Sequence, residues 1–333
     1  MNRLTVSPRS GESVEPEEQE KRAGPPAEIN KVFVVLNPVA GVNNRDTIRD
    51  SVEKFCAEKR WDFDIHETKK DEDLHRVMKK ALKDGVDLVI AAGGDGTVAG
   101  VVSGIAQSSV PLGILPAGTG NALARDLGIP ITADAALELI GGEHDVKTMD
   151  AIQIGKDYYA LNVSIGISAE IMEKTAREEK RRFGFLAYLW RGLQTLTRSR
   201  LHRFSVEVDD RKVQFRASEV MIANEKLMGL QPRIDGVEVS AEDGRLDAFI
   251  VRAQSLRDYL GVFTRFVRRS QPAYDSNLRY LPIREKIVIH TLKPVPVQAD
   301  GEAIGVTPVE IRVVPQAIRV IVPPSSEPKE NRS

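Results

Sequence analysis

The 333-residue sequence contains a single cysteine, Cys56, few aromatic residues and no excess of either charge. One thiol excludes an intrachain disulfide and a zinc finger built on several thiolates. The 47 basic residues balance 48 acidic ones, which leaves a net charge of −1. Because no overall basic field would hold nucleic acid, we expect no nucleic-acid partner, and any anion-binding site must be local.

Long apolar runs are also missing. No stretch approaches the roughly 18 residues needed to cross a bilayer, and the N-terminus lacks the short apolar core of a signal peptide. Together with the lone cysteine, these absences predict a cytoplasmic protein in a reducing compartment. Residues 1–28 and 324–333 combine charged residues with proline and serine, and we expect both to be solvated tails.

Between these tails, two patterns of hydrophobicity follow one another. In the first part, helical stretches alternate with short apolar runs, which are Lys31–Leu36, Trp61–Glu67, Asp87–Ala92 and Leu112–Leu115. This alternation predicts βαβ units in a parallel sheet whose faces are covered by helices. In the second part, alternating strands with hairpin-like turns predominate, which predicts an antiparallel sandwich.

We therefore expect two domains. An α/β domain with a parallel sheet and a Rossmann-like nucleotide site should span 29–145, and a β-rich antiparallel sandwich should span 146–323. The pattern leaves open to which of the two the last strand, Ala317–Val322, belongs.

The most informative segment is the buried strand Asp87–Ala92 followed by Gly93-Gly94-Asp95-Gly96-Thr97. Glycine amides at the start of a helix suit an anion, and without Cβ atoms the backbone can approach it closely. Asp95 is unexpected there, because repulsion of a phosphate would cost roughly 1 to 4 kcal/mol. Its charge is useful if Mg²⁺ lies between the two groups, or if it accepts a proton from an attacking hydroxyl. The segment therefore indicates phosphoryl transfer rather than an ordinary tight turn.

Two more strand ends are rich in glycine, at 36–41 and 115–125. Because the carboxyl ends of parallel strands share one edge of a sheet, we expect the three loops to converge. The dinucleotide fingerprint is absent, since Leu123 occupies the third-glycine position, and no Gly-Lys-Ser/Thr of a P-loop occurs. A nucleotide site here must therefore use a different arrangement.

Five motifs occur in a specific order and spacing: Asn37-Pro38 with Gly41, Gly93–Thr97, Gly118–Asn121, Asp243-Gly244 with Asp247, and Asp300-Gly301-Glu302. In these motifs the sequence resembles the diacylglycerol kinase catalytic-domain family, which includes sphingosine and ceramide kinases and soluble bacterial lipid kinases. The resemblance covers about residues 30–322 and implies an ATP- and Mg²⁺-dependent kinase that phosphorylates a hydroxyl of a diacylglycerol-like or sphingoid lipid. An NAD kinase-like phosphotransferase and a non-catalytic lipid-binding protein are the alternatives.

The same resemblance implies roles for individual residues. Asp300 or Glu302 would be the base, Asp95 would also act in catalysis, and Asp95, Asp150 and Asp243 would serve Mg²⁺. From local sequence alone, Asp300-Gly301 is a hairpin turn. The nucleotide would contact Asn37, Pro38, Val39, Ala40, Gly41, Thr68, Gly93, Gly94, Asp95, Gly96, Thr97, Val98, Ala99, Gly118, Thr119, Gly120 and Asn121.

One position departs from the family pattern. Ala122 stands where many members carry aspartate directly after Gly-Thr-Gly-Asn, so one carboxylate of the metal network is missing. Asp126 is four residues further on the same helical face, one turn farther from the phosphates. Whether it substitutes is open, and Ala122 makes the non-catalytic alternative conceivable.

The segment 177–203 carries eight basic residues interleaved with aromatic residues and leucines. This composition suits an anionic membrane surface, although helices packed on the sandwich would explain the same apolar residues. We expect a lipid substrate and peripheral membrane contact through 177–203, which would bring the cytoplasmic protein to the inner face of the membrane. The sequence leaves a homodimer open.

Overall fold

The computed structural model describes residues 29–39, 45–70, 72–174, 201–224, 233–234, 237–255, 257–262 and 277–324. Ala40, Gly41, both predicted tails except Pro324, and residues 177–200 of the predicted membrane segment lie outside these ranges. Within the described ranges, no helix is long and apolar enough to span a membrane.

The N-terminal half is an α/β domain. Strands β1 (Lys31–Leu36), β2 (Asp62–Glu67), β3 (Leu88–Gly93) and β4 (Leu112–Pro116) are parallel, in the order β2-β1-β3-β4. The helices are α1 (Arg45–Lys59), α2 (Leu74–Lys83), α3 (Asp95–Ile105), α4 (Ala122–Asp126) and α5 (Ala133–Gly141). All six residues of β3 are buried, because α2 and α3 pack on one face of the sheet and α1 and α5 on the other. The predicted α/β fold is confirmed.

The second half is an antiparallel sandwich, as predicted. Its elements are β5 (Asp145–Ile154), β6 (Asp157–Tyr159), β7 (Asn162–Gly166), α6 (Ile167–Lys174), β8 (His202–Val208), β9 (Arg211–Ala217), β10 (Glu219–Ala223), β11 (Arg233–Ile234), β12 (Val237–Glu238), β13 (Leu246–Val251), β14 (Leu278–Ile283), β15 (Lys286–Thr291), β16 (Pro296–Ala299), β17 (Glu302–Val306) and β18 (Val309–Val322). One six-stranded sheet has the order β14-β13-β10-β7-β16-β17. Its inner face packs against strands β18, β15 and β8 around a core of aliphatic residues.

Strand β18 belongs to both halves. It pairs with β15 and β5 in antiparallel fashion, and Val320 pairs with Leu112 of β4 in parallel. Its first half contributes Ile311 to the sandwich core, and its second half contributes Ile318 to the N-terminal core. The segment Ala317–Val322, whose domain the sequence left open, is therefore the second half of β18, a strand that extends the parallel sheet and also belongs to the sandwich. The domain boundaries at 145 and 146 stay predictions, since β5 and β18 run through both cores.

We predict that Ile318→Ala lowers the free energy of unfolding by about 2 to 5 kcal/mol. Removal of the buried side chain leaves a cavity in the N-terminal core, beside a strand that both cores share. Ile318 is 1% exposed. Chemical denaturation measures the change. Arg319→Ala, at the exposed next position, is the control and should change stability by about 0.5 kcal/mol or less. Equal stability of the two variants would contradict the role of β18.

Candidate active site

Glycine-rich loops meet at the carboxyl edge of the parallel sheet. The amide of Asn37, after β1, donates to Ala92 in β3, and the amide of Ala117, after β4, donates to Gly93, each at 2.9 Å. The Asn37 side chain also donates to the Thr97 hydroxyl at 3.2 Å. The loops that follow β1, β3 and β4 are therefore joined by hydrogen bonds.

Asp95, the first residue of α3, connects its loop to the next one. One carboxylate oxygen accepts from the amide of Asn121 at 3.0 Å, and the other accepts from Ala122 at 2.6 Å. These amides lie at the start of α4, where N–H groups lack partners within the helix. Asn121 in turn closes its own loop, since its side-chain amide bonds to both the N–H and the carbonyl of Gly118 at 2.9 Å. Asp95 therefore fixes the conformation of the Gly118–Asn121 loop.

Two glycines are required where these loops touch. A Cβ atom on Gly118 would lie 2.6 Å from the Cα of Gly94, and one on Gly94 would lie 3.3 Å from the Cα of Gly118. A Cβ atom on Gly120 would collide with the Asp95 carboxylate. We expected this room to serve a phosphate, whereas in the structure the neighbouring loop occupies it.

The other predicted nucleotide residues surround this junction. Thr68 follows β2, and its amide donates to Leu36 at the end of β1 at 2.9 Å. Val39 is 73% exposed, and its amide donates to the Asn37 side chain. Val98 and Ala99 lie on α3. Gly96, Thr119 and Gly120 are exposed, and Pro38 is partly buried.

Asp300 and Gly301 form the two-residue turn between β16 and β17. Their φ angles are 45° and 84°, which is the left-handed conformation of a tight hairpin turn. The Asp300 carboxylate accepts hydrogen bonds from the consecutive amides of Ala160, Leu161 and Asn162 at distances of 2.8, 3.0 and 2.9 Å. The hairpin interpretation is therefore right for the backbone, and the side chain has a further role in ordering the segment before β7.

The two candidate bases have different surroundings. Burial raises the pKa of Asp300 above the usual range of an aspartate, although the three amide donors act in the opposite direction. Glu302, across the turn, is exposed. Burial also raises the pKa of the nearby Tyr159 to about 12, so this phenol stays protonated at neutral pH. The Asp300 carboxylate is held in a fixed position by its hydrogen bonds to the three backbone amides.

A narrow cleft lies between the glycine-rich loops and the sandwich. Asp95, Val98, Ala99, Val102 and Leu123 line it on the N-terminal side, and Ala160, Leu161 and Asp300 line it on the sandwich side. The structure therefore brings Asp95 and Asp300 into one space. A larger groove, beside α2 and the outer strands of the parallel sheet, contains none of the predicted site residues.

Asp150 and Asp243, the other predicted metal ligands, lie near the irregularity in the pairing of β18 between Val314 and Ile318. The Asp150 carboxylate accepts from the amides of Gly244 at 2.7 Å and Gln316 at 2.9 Å. Burial raises the pKa of Asp150, and the charge of Asp243 raises it further. Asp243 forms an ion pair with Arg245 at 3.0 Å. In the part of the chain that the structure describes, no three His, Cys, Asp or Glu side chains group so that they could hold a metal ion.

Sequence reasoning missed Asn224, which connects two parts of the site. Its buried side-chain amide donates to the carbonyls of Asp150 and Ala160, each at 2.8 Å. These partners precede it by 74 and 64 residues, so no local pattern could indicate the contacts. Asn224 thereby links the backbone of Asp150 in β5 to the segment that binds Asp300.

Comparison with known proteins places this architecture in a family. Residues 31–154 match the family model described as the diacylglycerol kinase catalytic domain, and residues 161–322 match the YegS C-terminal NAD kinase beta sandwich-like domain. A Staphylococcus aureus protein, provisionally named a lipid kinase, is 30% identical over 239 residues, which are 71% of this chain and 77% of the relative. The chain therefore belongs to the diacylglycerol kinase catalytic-domain family.

Further relatives share most of the chain. An uncharacterised Synechocystis protein is 29% identical over 303 residues, covering 87% of this chain and 70% of the relative. A Bacillus anthracis crystal structure, provisionally titled a diacylglycerol kinase, superposes with a TM-score of 0.73 at 26% identity and covers 91% of this chain and 98% of that one. A second structure from the same organism, titled a diacylglycerol kinase, gives 0.69 at 26% identity, with coverages of 90% and 99%. Both halves of the fold are therefore shared with kinase-family proteins.

We predict that Gly118→Ala lowers the free energy of unfolding by about 1 to 3 kcal/mol, because the new methyl group meets backbone that cannot move aside without separating the two loops. Thermal or chemical denaturation measures this. Gly261→Ala is the control, since a Cβ atom there meets nothing within 4 Å. If Gly118→Ala is as stable as its control, the close packing of the loops is not required.

Proposed function

We propose that the protein is an ATP- and Mg²⁺-dependent lipid kinase that phosphorylates a hydroxyl of a diacylglycerol-like or sphingoid lipid. The observation that carries the proposal is the cleft lined by Asp95 from the glycine-rich loops and Asp300 from the sandwich. Phosphoryl transfer depends on holding the donor phosphate and the acceptor hydroxyl together in one site. The cleft has a volume of only about 10 Å³, so its two carboxylates, one from each half of the chain, meet this requirement once the cleft opens around ATP and the acceptor.

The glycine-rich loops suit the phosphates of ATP. Helix α3 begins at Asp95, so its first turn has N–H groups without intrahelical partners and the positive end of the helix dipole. The hydrogen bond from Asn37 to Thr97 holds this turn against the loop after β1. ATP, when bound, supplies the γ-phosphate, and the chain's own part is to orient it towards the cleft.

A magnesium ion fits the residues present only with help from the nucleotide. Both Asp95 oxygens already accept an amide, yet each carboxylate oxygen has a second lone pair. Mg²⁺ usually takes one or two carboxylates together with waters and substrate phosphates. Asp95 would hold the ion, which neutralises phosphate charge, while Asp150 and Asp243 would act at a second, more distant position.

Asp300 is the better placed of the two candidate bases. Its carboxylate offers about four acceptor sites, of which the three amides occupy three, so one is left for the acceptor hydroxyl. A pKa raised by burial also brings the group closer to the working pH of a general base. We assign proton removal to Asp300, with Glu302 as the exposed neighbour.

We also propose that the enzyme acts at a membrane surface. A lipid acceptor requires the enzyme to work at a membrane surface, and we propose that the basic and aromatic residues of 177–203 make this contact from the cytoplasm. Most of that segment lies outside the described residues, so its support is the composition alone.

We predict that Asp300→Asn lowers turnover by a factor of about 100 to 10,000, the usual effect of losing a general base, while ATP affinity stays near that of the wild type. Glu302→Gln is the matched control and should lower turnover less than tenfold. Steady-state kinetics with calorimetric ATP titration separates the two effects. A larger loss in Glu302→Gln would transfer the role of base to that residue.

The activity itself is tested by incubating the purified protein with labelled ATP, Mg²⁺ and a panel of lipids, with NAD as a separate acceptor. We predict transfer of label to a lipid hydroxyl, and loss of that transfer when Mg²⁺ is chelated. Labelled NADP would identify an NAD kinase-like enzyme instead. Lipid binding without any transfer would favour the non-catalytic alternative.

A further inference from the structure

The backbone segment 160–162, which binds the Asp300 carboxylate, lies between two other strands. It leads into β7, which pairs with β10 on one side and with β16 on the other. Asn224 directly follows the last residue of β10, and Asp300 directly follows the last residue of β16. The segment therefore has Asn224 on one side and Asp300 on the other.

The N–H groups of this segment have an unusual arrangement. In a regular strand, successive N–H groups point alternately to the two neighbouring strands. Here the consecutive N–H groups of Ala160, Leu161 and Asn162 all point to the Asp300 carboxylate. Successive N–H groups that converge in this way form a nest, a concave site that binds an anion. The Asp300 carboxylate is the anion of this nest.

The carbonyl groups of the segment point away from Asp300, because the C=O and N–H of a trans peptide group have opposite directions. The Asn224 side chain donates to the Ala160 carbonyl at 2.8 Å, and the Asn224 backbone amide donates to the Leu161 carbonyl at 2.9 Å. The first carbonyl shares a peptide group with the Leu161 N–H, and the second shares one with the Asn162 N–H. Two peptide groups therefore each connect Asn224 to Asp300.

The side-chain bond is the part of this connection that requires asparagine, since every residue except proline has a backbone N–H. Asn224 is 0% exposed, and its side chain donates to two carbonyl oxygens, those of Asp150 and Ala160. A peptide group whose carbonyl accepts a hydrogen bond is polarised, so its own N–H becomes a better donor. The Asn224 side chain therefore both orients the Leu161 N–H and strengthens its bond to Asp300.

The position of the Asp300 carboxylate matters for the proposed proton transfer. Asp300 reaches the cleft from a two-residue turn, and two of its three bonds to backbone amides involve the peptide groups that Asn224 holds. Displacement of a reacting group by about 1 Å can cost about a hundredfold in rate. Asn224 itself is fully buried and does not line the cleft, so it can act only through its neighbours.

We propose that Asn224 is a positioning residue for the phosphoryl transfer, which fixes the Asp300 carboxylate in the cleft through the peptide groups of residues 160–162. The inference rests on the proposed lipid kinase activity, and it adds a residue that contacts neither ATP nor the acceptor lipid. The side-chain amide holds the carbonyl side of the nest, while Asp300 occupies the N–H side.

The test variant is Asn224→Leu, which has a side chain of similar size that cannot donate a hydrogen bond. We expect kcat to fall by about tenfold to a hundredfold, because the base is displaced. The KM for ATP should stay within about twofold of the wild type, because the glycine-rich loops are unchanged. Steady-state kinetics with labelled ATP and a lipid that the wild type phosphorylates measures both constants. An unchanged kcat would overturn the inference.

Ser218→Ala is the matched control. Ser218 is 1% exposed, and its hydroxyl donates to the Val251 carbonyl at 3.0 Å and accepts from the Ala253 amide at 3.1 Å. It lies before the first residue of β10, whereas Asn224 lies after the last one. The control therefore removes buried hydrogen bonds to backbone from the same part of the sandwich without touching the nest, and it should leave kcat unchanged. An equal fall of kcat in both variants would mean that Asn224 has only a general structural role.

A second measurement identifies Asp300 as the group through which Asn224 acts. In the Asp300→Asn background, Asn224→Leu should lower the residual kcat by less than about threefold, because the carboxylate that it positions is already absent. A full additional loss in that background would overturn the inference. So would a rise in the Mg²⁺ concentration needed for half the maximal rate, because the effect would then pass through Asp150.

Asn224→Ser keeps the inference testable if Asn224→Leu fails to fold. Its hydroxyl still donates, but the shorter side chain cannot reach both carbonyl groups. We expect a smaller loss of kcat than in the Leu variant, again with the KM for ATP unchanged. A loss that appears only in the KM for ATP would contradict a role in positioning the base.

Failure of the proposed function gives a different result. If the wild type transfers no phosphate to any lipid, the lipid kinase proposal is wrong, and hydrogen exchange decides whether Asn224 holds the nest. The amides of Leu161 and Asn162 should then exchange about tenfold faster in Asn224→Leu than in the wild type, and at the wild-type rate in Ser218→Ala. Equal exchange in the wild type and Asn224→Leu would overturn the inference.

Discussion

Hydrogen bonds from backbone amides to aspartate carboxylates connect the separate segments that form the cleft. Asp95 receives the first amides of α4, Asp300 receives three amides before β7, and Asp150 receives the amides of Gly244 and Gln316. Charged acceptors make such bonds stronger than neutral ones, and partial burial reduces competition from water. Loops that contain many glycines lose much conformational entropy on ordering, and the hydrogen bonds to these carboxylates offset part of that cost.

The same arrangement limits what each carboxylate can do chemically. An aspartate whose oxygens already accept amides is fixed in position and retains only part of its capacity for a metal, a proton or a substrate hydroxyl. Asp95 keeps a lone pair on each oxygen, which suits a partial ligand of a phosphate-bound ion. Asp300 keeps one site beside the cleft, which suits a single directed hydrogen bond. A structural role and the proposed catalytic role are therefore compatible in these two residues, and we expect a substitution at either to affect both.

Much of this organisation could be predicted from the sequence. The alternation of apolar runs with helical stretches determines the parallel sheet, and the common edge of parallel strands brings together Asn37, Gly93–Thr97 and Gly118–Asn121. The contacts between loops could not be predicted, because Gly94 and Gly118 meet through backbone atoms that leave no pattern in residue type. Local sequence indicated only a turn at Asp300, since its amide partners are about 140 residues away. The buried polar side chains of Glu219, Ser164 and Gln298 were missed because their strands come together only when the six-stranded sheet forms.

Strand β18 determines how the cleft can open. Because it pairs with β5 on both sides of the irregularity between Val314 and Ile318, the two halves of the chain share a continuous ladder rather than a flexible linker. Rotation of one half against the other would have to break ladder hydrogen bonds or act at that irregularity, where Asp150 binds the amide of Gln316. Opening of the cleft by rotation is therefore expected at this irregularity, next to Asp150, rather than along the paired parts of β18.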